Sequence, residues 1–288
     1  MTLVAARVFG ERIIVMSDSL IDDPNATRIN ILPGRLKSVA LHRDLCISYS
    51  GRAGPALAAI RQVHASFRTS DDLADAIDQL SANPFCRSGD TDFLVAARTP
   101  GPTLLRITHG RISGDRNEVF VGDPEASLEL DRLIIREPEQ PDGEFWSGEE
   151  VRFARAFSEL VLQRRCPSLG GVVFNCLGSP NGFCYQNHAG TYIGEDPFAL
   201  LSDKRRKPHF EPGLHARPRS LEEYSYSLAA HSGRGVPVVG VYFPRGRLGF
   251  VYSPLECDEA VKLIDVDLGR LNSEVQRLGD SLTRQVAQ

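Results

Sequence analysis

The chain has 288 residues, a formal net charge of −4, 42% hydrophobic residues and 24% charged ones. That is long enough for a sizeable core and ordinary for a globular protein. It excludes a nucleic-acid binder that relies on bulk positive charge, and no apolar window reaches the roughly 18 residues of a membrane span.

Elements follow at once. Residues 2–9 and 12–18 read as two strands around a turn at Gly10-Glu11, and the continuous run Ile13, Ile14, Val15, Met16 suits a strand covered on both faces. Residues 36–41 and 45–50 form a hairpin about His42-Arg43-Asp44. A helix opens at Gly54-Pro55 with Leu57, Ile60, Val63 and Phe67 on one face. A second follows Ser70, with Leu73, Ala76, Ile77 and Leu80 at helical spacing. DFLVAAR, TLLRITHGR and EVFVG are strands. Asp123-Pro124 caps a helix carrying Ala126, Leu130, Leu133 and Ile134. EPEQPDGEFW is a loop, and Ser147 with Glu150 makes a capping box for a helix from Val151 to about Arg165. GVVFNCLG and GFCYQNH are strands, and Gly170-Gly171 is a turn whose backbone approaches the N-terminal strand.

Residues 194–235 are rich in Pro, Arg, His and Ser and read as an irregular insertion, with KRRK at 204–207 on a solvated face. VPVVGVYF and RLGFVYSP close as a hairpin over Pro244-Arg245-Gly246. A last helix is expected from about Asp258. Its Val261, Ile264, Leu268, Leu271, Val275, Leu278 and Leu282 step by 3 and 4, a narrow seam that would face either a partner or the outside of its own sheet. The order of strand runs and helix pairs predicts an α/β (α+β) protein of antiparallel sheets with helices layered outside. One domain spans 1–255, and 256–288 is a C-terminal helical extension.

Six scattered cysteines (46, 86, 166, 176, 184, 257) show no C-x-x-C pair, and the start of the chain shows no basic-then-apolar leader. Reduced thiols in a cytoplasm, no metal and no cofactor are expected. There is no G-x-x-x-x-G-K-[ST] phosphate loop, so the chain is not itself a P-loop ATPase. His42, His64 and His109 are read as structural or exposed, and the cysteines as core residues or idle thiols.

Three residues carry the candidate chemistry: Thr2, Asp18 and Lys37. A strand that begins at Leu3 ties Thr2 to a packed sheet, although termini are usually loose. Removal of Met1 would leave Thr2 with a free α-amine beside its own hydroxyl. Such an amine, with a reference pKa of about 7.7–8.0, is a base near neutral pH. A lysine ammonium nearby would lower that pKa further, and a carboxylate such as Asp18 would hold the lysine.

TLVAARVFGERIIVMSDS, followed by LKSVALHRDLCISYSGRAG, resembles the start of proteasome β subunits and of the related bacterial heat-shock-locus peptidase. Asp18 follows Thr2 by sixteen positions and Lys37 precedes Gly51 by fourteen, as in that family. The resemblance covers residues 2–80 well and reaches about 255 in element order. It implies the four-layer αββα sandwich of N-terminal nucleophile (Ntn) hydrolases, two antiparallel sheets flanked by helices. It further implies Thr2 as nucleophile, Lys37 as the lysine that lowers its pKa, Asp18 as the partner of Lys37, the Gly51 N–H as oxyanion donor, and Ala53 as a substrate-strand contact. The family's Gly-Ser-Gly turn is here Val121-Gly122-Asp123. Its Asp-Ser-Gly-Gly is here RCPSLGG, with Cys166 or Arg165 in place of the Asp and Ser168 shifted by one. Ser168 and Asp123 are supporting candidates.

The expected function is a threonine-type peptidase acting on peptide or protein. Alternatives are a catalytically silent ring or scaffold subunit and a non-peptide amidase or acyltransferase on the same fold. A homo-oligomeric ring with a separate ATP-dependent unfoldase is implied, with no nucleic-acid or membrane partner.

Overall fold

The computed structural model describes residues 2–20, 34–114, 117–163, 166, 168–194 and 222–286. These form an α+β protein of three five-stranded antiparallel sheets. The first contains β1 (Leu3–Phe9), β2 (Arg12–Asp18), β8 (Glu118–Gly122), β9 (Val173–Ser179) and β10 (Gly182–Tyr185), in the order β10-β9-β2-β1-β8. The second is β3 (Ser38–His42), β4 (Leu45–Gly51), β5 (Thr91–Ala97), β6 (Thr103–Thr108) and β7 (Arg111–Gly114), in chain order. The third, also in chain order, is β11 (Ala189–Gly194), β12 (Glu222–Ala230), β13 (Val239–Phe243), β14 (Leu248–Tyr252) and β15 (Val261–Ile264).

Period-2 alternation explains how the layers meet. Val4, Ala6, Ile13 and Val15 enter a shared core with Ala40, Cys46, Leu94 and Ala96 of the second sheet and Tyr226, Val241 and Phe250 of the third. Their neighbours Leu3, Ala5, Ile14 and Met16 point the other way, onto α4 (Pro124–Arg136) and α5 (Gly148–Gln163). The unbroken apolar run of β2 is thus a strand buried on both faces, as its sequence predicts. The outer face of the second sheet packs on α1 (Ala53–Ser66) and α2 (Leu73–Ala82), which is followed by the one-turn α3 (Pro84–Arg87). The capping box is present: the Glu150 N–H donates to Ser147 Oγ at 3.2 Å and the Ser147 N–H to Glu150 Oε2 at 2.7 Å.

The expectation of two sheets is corrected by the third. Glu222–Ala230, inside the stretch read as an irregular insertion, is a strand paired with β11 and β13. Its alternation is present in the sequence: Tyr224, Tyr226 and Leu228 are buried, whereas Glu223 and Ser225 are exposed. Serines between aromatics read as loop composition, yet they are the outward positions of a half-buried strand. KRRK lies outside the described residues.

The C-terminal extension is also corrected. Val261–Ile264 is the edge strand β15, and the helix α6 (Leu268–Val286) starts ten residues later than expected from Asp258. Leu271 and Val275 are fully buried and, with Leu282, pack on Ala229, Val238 and Val251 of the third sheet. Leu271 and Val275 lie over Gly240 and Leu271 also over Gly249, where an added Cβ would come within about 3.0 Å of them. The seam therefore covers its own sheet. Burying each such side chain contributes about 1.5–3 kcal/mol. No described helix is long and apolar enough to cross a membrane.

Candidate active site

Hairpin geometry brings Thr2 and Asp18 together. Val4 pairs with Ser17 across the β1–β2 ladder, so the residue before β1 and the last residue of β2 lie at the same end of the hairpin. In this register Asp18 falls opposite Leu3, one residue from Thr2. Two further segments are stitched to the same end. The Arg35 N–H donates to the Ser19 carbonyl at 2.9 Å, which lays residues 34–37 beside the end of β2 and delivers Lys37. The Leu20 N–H donates to the Gly170 carbonyl at 3.1 Å and the Val172 N–H to Ser19 Oγ at 2.9 Å. The approach of Gly170-Gly171 to the N-terminal hairpin is as the sequence predicts.

The three side chains form one cluster. Lys37 Nζ lies 2.8 Å from Asp18 Oδ1. The Thr2 hydroxyl donates to Asp18 Oδ1 and accepts from Lys37 Nζ. The Gly170 N–H donates to the second Asp18 oxygen at 3.1 Å. Thr2, Asp18 and Lys37 are all buried, with 4%, 0% and 3% exposure. Taking two charges out of water costs several kcal/mol per ion, which mutual attraction offsets only when further donors complete the set. Here the Thr2 hydroxyl and the Gly170 amide do so. The ammonium beside Thr2 Oγ stabilises negative charge there as the hydroxyl loses its proton.

The main chain of Thr2 is held from the opposite sheet edge. β8 pairs with β1, and the Asp123 N–H donates to the Thr2 carbonyl at 2.7 Å. Gly122 has a φ of 110°, and a Cβ there would stand 1.7 Å from the Thr2 carbonyl oxygen, so only glycine fits. The Asp123 carboxylate caps α4 by accepting from the Glu125 and Ala126 amides at 2.9 and 3.3 Å, and its other oxygen accepts from the Ser168 hydroxyl. Burial pushes the Asp123 pKa up, but the Ser168 hydroxyl and the two amides outweigh it and hold the carboxyl below its usual range. Sequence reasoning places Asp123 and Ser168 near the site but misses their pairing, and it misses Ser19, whose only signal is its place beside Asp18 in SDS.

Gly51 ends β4 opposite Thr91, with a φ of 89° and no room for a Cβ against the Asp90 carbonyl. The Tyr49 N–H donates to the Lys37 carbonyl at 3.0 Å, so Gly51 lies two residues further on. That is about 7 Å along the strand from the Lys37 register. Ala53 opens α1. Among the described hydrogen bonds none joins Gly51 or Ala53 to Thr2.

Elsewhere, burial lowers the pKa of His42 and of His64 and raises that of the Cys166 thiol. Five cysteines are buried, Cys257 is exposed, and all six are free. Among the described residues no group of three His, Cys, Asp or Glu is arranged to hold a metal ion. No family model and no curated protein matches the chain's sequence.

Proposed function

We propose that the protein is a threonine-type N-terminal nucleophile hydrolase that cleaves amide bonds of peptides. The observation that carries this is the buried contact of one hydroxyl, Thr2 Oγ, with both the Lys37 ammonium and the Asp18 carboxylate. An isolated surface threonine needs neither. Removal of Met1 is required to free the α-amine of Thr2. Thr2 Oγ then attacks the amide carbonyl while its own α-amine takes the proton. The Gly51 N–H is the proposed donor to the oxyanion. The amine passes the proton to the leaving nitrogen, and water releases the acyl group from Thr2. On this proposal the first two sheets, with α1, α2, α4 and α5 outside them, are the αββα sandwich of such hydrolases, and the third sheet with α6 is an addition. A homo-oligomeric ring served by a separate ATP-dependent unfoldase belongs to the same proposal.

The decisive experiment pairs the intact mass of the purified chain with hydrolysis of a panel of fluorogenic peptide amides. A mass lacking Met1, with hydrolysis lost in Thr2→Ala, is the expected result. A chain that keeps Met1 and hydrolyses nothing is the catalytically silent scaffold instead.

A further inference from the structure

A cavity of about 270 Å³ lies outside the Thr2 cluster, between the β3–β4 turn, α1, the β12–β13 loop and α6. Leu41, Val236, Pro237, Leu255 and Leu282 form its apolar lining. Four basic side chains share it: His42 and Arg43 from the turn, His64 from α1, and Arg234 from the loop. Among the described residues no acidic side chain lines it. The closest carboxylate in sequence, Asp44, is engaged by Arg98 at 3.2 Å and faces His42 Nδ1 at 3.7 Å. Arg234 donates to the sulfur of Cys184, not to an acid, and among the described residues Arg43 makes no side-chain ion pair. Both arginines are exposed.

Two guanidinium groups beside an apolar lining, with no carboxylate among the described lining residues, present positive charge to an anionic group that enters the cavity. We infer that this cavity binds a small amphipathic carboxylate, its alkyl or aryl part against Leu41, Val236 and Leu282 and its carboxylate at Arg43 and Arg234. Guanidinium groups suit this partner, since their planar forks make charge-assisted hydrogen bonds to carboxylates. Volume sets the size: an apolar cavity of ~150 Å³ takes benzene, so this one takes on the order of ten heavy atoms. It is smaller than the roughly 300–1,000 Å³ of sites for drug-sized ligands. The two imidazoles, whose pKa values burial lowers, extend the polar lining of the cavity.

Isothermal titration of the full chain with octanoate tests the inference. Saturable binding at one site is expected. Arg43→Gln and Arg234→Gln should each weaken it by about tenfold, and 1-octanol should bind at least about tenfold more weakly than octanoate. Both variants change exposed side chains, and an unchanged melting temperature verifies that they fold. Leu282→Trp, which fills the floor, should abolish binding. Absence of saturable binding overturns the inference, as does equal affinity for octanol, or arginine variants that bind like the parent. An acetylated tripeptide with a free C-terminal leucine that binds more tightly than octanoate also overturns it, because the site then takes chain ends rather than small acids.

Discussion

The two sides of Thr2 are held by different physics. On the hydroxyl side, a full ion pair sits in a nearly dry environment: Lys37 and Asp18 are buried, and the carboxylate accepts from three donors. On the main-chain side, the grip is a backbone ladder, the close approach of Gly122 and a partly buried Asp123 whose charge is shared among a hydroxyl and two helix-capping amides. The first arrangement depends on both charges being present, because removing one leaves the other buried and uncompensated. The second is divided among several modest hydrogen bonds, each contributing about 1 kcal/mol. On the proposed mechanism, the Thr2 nucleophile needs the first kind of control at the atom that reacts. Its position needs only the second.

This contrast sets the expected order of effects. On the proposed mechanism, Thr2→Ala should lower peptide hydrolysis by at least about 10³-fold, as loss of a nucleophile does, and should cost about 1 kcal/mol of stability, because it removes one donor to Asp18 but leaves the ion pair in place. Thr2→Ser, which keeps the hydroxyl, should retain measurable turnover, and loss of activity in both with no acyl intermediate would remove the contrast at its root. Lys37→Met should cost about 3–5 kcal/mol of stability in urea denaturation, because Asp18 is then left buried without its counter-ion. Asp18→Asn added to it should restore part of that loss. Equal losses in the single and double variants would show that the pair is not coupled.

Ser168→Ala should cost about 1 kcal/mol, several-fold less than breaking the ion pair, and should raise the pKa of Asp123 by removing the hydroxyl that favours its charged form. A cost equal to that of Lys37→Met would erase the distinction between the two sides. Asp123→Asn should have the smallest effect, since asparagine still caps α4. Its signature is the pH dependence. The folded pKa of Asp123 lies below its usual value of 3.8, so the charged form contributes stability above that value, and the contribution is lost as pH falls through the folded pKa. The gap between parent and Asp123→Asn in urea midpoint should therefore be constant near neutrality and close in acid. A gap that widened in acid would reverse the sign.

What the sequence determines by itself is local. Hairpin register sets which residues share a strand end, so the spacing of Thr2 and Asp18 around the turn at Gly10 is legible in the chain alone, as are the unbroken apolar run of β2 and the Ser147–Glu150 capping box. Lys37 is legible only through its resemblance to a family pattern, since its approach depends on a bond between residues 35 and 19. Tertiary structure alone decides the rest. Asp123 and Ser168 are forty-five positions apart, and only the end of β8 meeting the segment before β9 pairs them. The third sheet is hidden because serine between tyrosines has loop composition but strand periodicity. The seam of α6 is visible, but a stripe of leucines has the same pattern whether it meets a partner or its own sheet. Gly240 and Gly249, by opening the sheet to Leu271 and Val275, settle it in favour of the sheet.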